Sequence, residues 1–181
     1  MRRTISSKKP LFLIHHDRDI AVEDVWQLLP EELTPYCALQ LEPPKPEDPS
    51  SYQSLTKNLE KARALDIPVF FTSQTWRETD EAYIPIAELD HLLSEFPNLI
   101  GLRSCELSCF SLNDVQKQYL IQLMDLCGKH KAWLTWQEMG YLHNYQYKPV
   151  TGKQHVFIQA GADDELFDAV RRNGDSIIFT D

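Results

Sequence analysis

Six short apolar runs recur along this chain, and each ends in a polar tip. No other feature restricts its folding so tightly. The runs begin near residues 11, 37, 67, 99, 131 and 176, so successive starts lie 26, 30, 32, 32 and 45 residues apart. Each is four to eight residues long and bounded by turn or breaker residues, which is the pattern of a strand buried on both faces of a parallel sheet. Leu99-Ile-Gly-Leu-Arg103 shows it most clearly: it follows the turn signal Pro97-Asn98, and charge returns at Arg103 and Glu106. Pro10–Ile14, Cys37–Leu41, Pro68–Thr72, Lys131–Trp136 and Ser176–Thr180 are read the same way.

The intervening segments have helical spacing. Val22, Val25, Trp26 and Leu29 mark a helix over Ala21–Leu29, stopped by Pro30. Tyr52, Leu55, Leu59 and Ala62 mark a second over Ser51–Asp66, with Pro49 near its first turn. Ile86, Leu89, Leu92, Leu93 and Phe96 mark a third. Leu112, Val115, Tyr119, Leu123 and Leu126 line a fourth, with Gly128 as its expected C-cap. Gly140–Lys153 reads as an aromatic loop, His155–Gln159 as a short extra strand and Asp163–Asn173 as a last helix. Strand–helix units of about 31 residues are those of a (β/α)8 barrel. This length holds six of them. An open doubly wound sheet is the alternative, but no Gly-rich turn follows the first strand to hold a dinucleotide.

Lys and Arg number 18 and Asp and Glu 27, so the net charge is 18 − 27 = −9. A nucleic-acid partner calls for a basic face and is not expected. No apolar run reaches the ~18 residues of a membrane span, and Met1-Arg2-Arg3 leads into polar sequence rather than a signal-peptide core. Cys37 and Cys127 fall on apolar faces and read as small core residues. Cys105 and Cys109 flank Glu106 without further ligands at zinc spacing, so neither a metal nor a cofactor is expected.

If the strands are parallel neighbours, their C-terminal tips carry the chemistry. The candidates are His15, Glu42, Gln74, Trp76, Arg103, Glu106, Trp136, Glu138 and Asp181, with Asp17 beside the first tip. Carboxyl groups with aromatic platforms suit a carbohydrate: rings stack on sugar faces, and glycoside cleavage needs one protonated and one ionised carboxyl. Glu106, between apolar neighbours, is the first candidate for the acid; Glu138 and Asp181 are candidates for its partner. His15, Glu42, Gln74, Trp76, Arg103 and Trp136 are candidates for holding substrate. Strand tips also meet solvent, so polar residues there need not be catalytic. His15-His16 reads as a packed or hydrogen-bonded strand end, and Trp26 and Trp133 as core.

Several stretches resemble the catalytic domain of glycoside hydrolase family 98, the endo-β-galactosidases and related endo-xylanases. Arg2–Ser6 with Lys9–His15 is similar to the family's opening into its first strand. Leu28-Leu-Pro-Glu-Glu-Leu-Thr-Pro-Tyr36 resembles its entry to the second, and Phe96–Gly101 through Cys105-Glu106-Leu-Ser108 its fourth-strand motif. The resemblance implies a (β/α)8 barrel of which residues 1–181 form a part lacking the last strand–helix units. It also implies an inverting, metal-independent endo-hydrolase of oligosaccharides or polysaccharides, with Glu106 as general acid, secreted to the extracellular space or cell surface of bacteria. A second chain or a further segment would complete the barrel. The rival expectation is a non-catalytic glycan-binding or degenerate partial barrel.

Overall fold

Among the described residues, helices connect the successive long strands as far as Gln137, as the spacing requires. The computed structural model describes residues 12–16, 20–44, 48–75, 82–104, 114–137, 146–150, 153–157, 172 and 177–180. Contacts divide the chain into two units, Met1–Gly101 and Leu102–Asp181.

The first unit contains β1 (Phe12–His15), α1 (Val22–Gln27), β2 (Cys37–Leu41), α2 (Pro49–Ala64), β3 (Val69–Thr72), the short β4 (Gln74–Thr75) and β5 (Ala82–Tyr83), α3 (Ile86–Glu95) and the start of β6 (Leu99–Ser104). β1 and β2 run parallel, with Phe12 opposite Cys37 and His15 opposite Gln40. β2 and β3 are also parallel, Leu39 facing Val69 and Leu41 facing Phe71. Every residue of β2 and β3 is buried, which is why both read as near-continuous apolar runs. Leu55, Leu59 and Ala62 of α2 and Leu89, Leu92 and Leu93 of α3 are buried too. Asp48 caps α2: its side chain accepts from the Ser50 amide at 3.0 Å, and Pro49 supplies the preset first turn.

The second unit holds the rest of β6, then α4 (Asp114–His130), β7 (Trp133–Gln137), β8 (Gln146–Val150), β9 (Lys153–Phe157) and β10 (Ile177–Thr180). β10 lies parallel to β7, Ile177 opposite Leu134 and Thr180 opposite Gln137. β8 and β9 form an antiparallel hairpin. Hydrogen bonding orders the long strands β1-β2-β3-β6-β7-β10, so each new parallel strand is added on the same side as the last. A doubly wound sheet reverses direction at a switch point. This one does not, and six strands among the described residues follow the stepwise order of a (β/α)8 barrel.

Four expectations need correction. Gly128 lies inside α4 rather than capping it. The turn out of the helix is made at Lys131 (φ 52°), where the Ala132 amide donates to the Cys127 carbonyl and the Lys131 amide to that of Gly128. Val115 does not line the apolar face; it is 68% exposed in the first turn, and burial begins at Tyr119 and Leu120. Within the segment read as a loop at Gly140–Lys153, Gln146–Val150 is strand β8, because it pairs antiparallel with Lys153–Phe157. Trp26 and Trp133 are only partly buried. Cys37 and Cys127 are buried free thiols, as read.

Candidate active site

In the first unit the strand exits gather polar side chains on an otherwise apolar frame. Because His15 stands opposite Gln40, Glu42 lies just beyond the end of β2, and its Oε1 is 3.3 Å from His15 Nε2. The two side chains are 60% and 41% exposed, so the pair contributes no more than about 1 kcal/mol to stability but presents a donor and an acceptor to solvent.

Other polar groups at these strand ends are buried. The His16 amide extends the ladder by donating to the Gln40 carbonyl at 3.1 Å. The His16 ring is 1% exposed, and its Nε2 lies 2.8 Å from the Ile20 carbonyl oxygen. A carbonyl only accepts, so Nε2 carries the proton and His16 ties the exit of β1 to the entrance of α1. Gln40 and Thr72 are buried, and the Gln40 amide donates to the Thr72 hydroxyl at 3.3 Å. Ser73 is fully buried, and its carbonyl accepts from the Ile84 amide at 3.1 Å, which ties the chain after β5 back to the exit of β3. An unpaired buried polar group costs about 1–3 kcal/mol, so these bonds hold the loop bases in fixed positions. Burial pushes the Cys37 thiol above its usual range, leaving it a packing residue rather than a nucleophile.

In the second unit Arg103 is half-buried near the end of β6, and the buried Thr135 hydroxyl donates to the Leu102 carbonyl at 3.4 Å. Among the described residues no three His, Cys, Asp or Glu side chains converge. No helix among them is long and apolar enough to cross a membrane.

Of the residues singled out from sequence, His15 and Glu42 are brought together and Arg103 is placed at a strand end. Gln74 begins β4, and Trp136 lies in β7 opposite Phe179; for these two the backbone alone is described. Trp76, Glu106, Glu138 and Asp181 lie outside the described residues, as does Asp17. The sequence reading missed Gln40, Thr72 and Ser73. The available signal was a glutamine inside the apolar run Cys37-Ala-Leu-Gln-Leu41, a position where only a hydrogen-bonded amide is tolerated.

Chemically, the exposed imidazole–carboxylate pair can both donate to and accept from the hydroxyl groups of a ligand. The model of the family described as Glycosyl hydrolase family 98 matches residues 1–179. Three solved structures of the catalytic module of a family 98 glycoside hydrolase from Streptococcus pneumoniae TIGR4 are similar in fold. They are a complex with the H-disaccharide blood group antigen, a complex with the Lewis Y pentasaccharide antigen and a native form. Sequence identities are 21%, 20% and 22%, each with a TM-score of 0.72 over 99% of this chain. The chain spans 33% of the length of those modules. No curated protein matches it.

Proposed function

Because this chain belongs to glycosyl hydrolase family 98, we propose that it provides the acid-bearing part of a glycoside hydrolase cleaving internal bonds of a complex glycan with inversion. The observation that carries this reading is the family match from residue 1 to 179, in which β6 ends at Ser104, two residues before Glu106. A carboxyl group just past a barrel strand's C-terminal end stands where such folds place their chemistry. Glu106 protonates the glycosidic oxygen as its bond to the anomeric carbon breaks. A water attacks that carbon from the opposite face and loses its proton to a second carboxylate, with the two carboxyls about 6.5–9.5 Å apart. Glu138 and Asp181 are this chain's candidates for that base. His15, Glu42, Gln74 and Arg103 hold hydroxyl groups, and Trp76 and Trp136 stack on sugar faces.

The substrates proposed are oligosaccharides or polysaccharides of the kind held by the pneumococcal modules. The proposed setting is extracellular or at the cell surface, and a further segment or second chain completes the barrel. Glu106→Gln should lower hydrolysis by about 10²–10⁴-fold while leaving affinity for the Lewis Y pentasaccharide within about twofold; turnover equal to the unaltered chain would refute the assignment. A second reading is glycan binding without cleavage, in keeping with the exposed His15–Glu42 pair, which can hold sugar hydroxyls without any cleavage chemistry. Saturable binding with no product released by the unaltered chain would select it.

A further inference from the structure

The His15–Glu42 contact runs diagonally across two strands. His15 stands opposite Gln40 in the β1–β2 register, yet its Nε2 meets the carboxylate of Glu42, two residues further along. Side-by-side residues of parallel strands share a face, and so do residues two apart along one strand. His15, Gln40 and Glu42 therefore fall on one face. Gln40 also stands opposite Phe70, so Thr72, two residues on, joins them. Leu39, Leu41 and Phe71 fall on the other face, with His16 two residues past Ile14.

The four polar side chains differ in what holds them. The His15–Glu42 pair is exposed and joined by one contact, which by itself leaves two rotatable side chains loosely held. Gln40 and Thr72 are buried and bonded to each other across β2 and β3. An apolar residue at position 40 would fill the same space without needing a partner, so packing alone does not account for the amide. Neighbouring strands lie about 4.8 Å apart, so the fixed Gln40 side chain is the lateral neighbour past which the His15 ring leans to reach Glu42. An ionised carboxylate only accepts, so Nε2 carries the proton and Nδ1 of the neutral ring is left to accept from a ligand hydroxyl. Where that acceptor points depends on the lean of the ring. We propose that Gln40, braced by Thr72, is a positioning residue that sets this lean and so the direction in which the His15–Glu42 pair meets a ligand hydroxyl. The assignment rests on the reading of that pair as a holder of sugar hydroxyls.

The test compares the whole 181-residue chain with Gln40→Met, Thr72→Val and Thr72→Ser. Ring-nitrogen NMR shifts read at about pH 8, above the ordinary histidine range, report which nitrogen carries the proton. In the unaltered chain and in Thr72→Ser, His15 should hold its proton on Nε2; in Gln40→Met and Thr72→Val its two tautomers should mix. His16, on the other face, should keep its shifts throughout. Unmoved His15 shifts in both Gln40→Met and Thr72→Val overturn the proposal. So does an equal change at His16, which would mark a general loosening of the strand ends. Gln40→Met should also weaken binding of the Lewis Y pentasaccharide about three- to tenfold and have no further effect in a His15→Ala background. An equal loss in that background overturns the proposal. If Gln40→Met does not fold, Thr72→Val carries both measurements. A chain that shows the expected shifts yet fails to bind the pentasaccharide overturns the glycan reading and leaves the positioning of His15 standing.

Discussion

Glu88 occupies the first turn of α3, where the helix dipole favours an anion. Burial outweighs that advantage and pushes its carboxyl above the ordinary glutamate value. Burial also raises the Tyr52 hydroxyl, and the negative charge of Glu88 raises it further. A carboxyl whose folded pKa is raised takes up its proton more readily in the folded chain. Its contribution to stability therefore falls as pH rises from the unfolded value of 4.5 through the folded one, and stays low above it. Glu88→Gln should melt at a higher temperature than the unaltered chain at pH 7, with the gap closing below about pH 4.5. A lower melting temperature at pH 7 would show that the dipole wins after all. Glu23 has the opposite sign: Lys61 Nζ, 2.8 Å from its Oε1, draws its carboxyl down, so this link between α1 and α2 weakens as the medium becomes acidic.

Two helices hand the chain to a strand through the same turn. After α2 the Ile67 amide donates to the Ala62 carbonyl at 2.8 Å and the Asp66 amide to that of Arg63, with Asp66 at φ 55°. After α4 the same pair of bonds forms around Lys131. Both are Schellman closures that seat a non-glycine residue in the left-handed region, and Ile67 and Ala132 are buried immediately after. The left-handed conformation costs an L-residue about 1–2 kcal/mol, whereas glycine gives back roughly 0.5–1 through its freer unfolded chain. Lys131→Gly should therefore stabilise the protein by about 0.5–1 kcal/mol, read as a higher denaturation midpoint in urea. This turn also explains an element that the sequence concealed. Gly128 was the conspicuous C-cap signal, yet α4 continues to His130 because Cys127 packs in the core and its carbonyl is closed by Ala132. Cys37–Leu41 was legible to the residue, because full burial leaves an unbroken apolar run. The β8–β9 hairpin was not, because its alternation is interrupted by Pro149.

At the scale of the molecule the chain passes from one unit to the other inside β6, between Gly101 and Leu102. Leu102 is fully buried, so Leu102→Ala removes packing that no surface change can replace, and urea unfolding should show a loss of about 2–5 kcal/mol. The strand–helix repeat was legible because repeat length and burial both write directly into hydrophobic spacing. The candidate site was legible only at positions where charge interrupts that spacing, as at His15 and Glu42, which the structure pairs. Gln40 and Thr72 were hidden because their meaning comes from a partner 32 residues away. In the first unit, strand entrances and exits hold different kinds of residue. Asn98 supports the entrances, its amide reaching the Leu59 and Ile67 carbonyls at 3.5 and 3.4 Å, while His15, His16, Glu42 and Ser73 stand at the exits. Side chains at the exits of the first unit are therefore free to drift while the bonds at its entrances keep it folded. A changed exit asks for a few edited codons without the architecture being renegotiated.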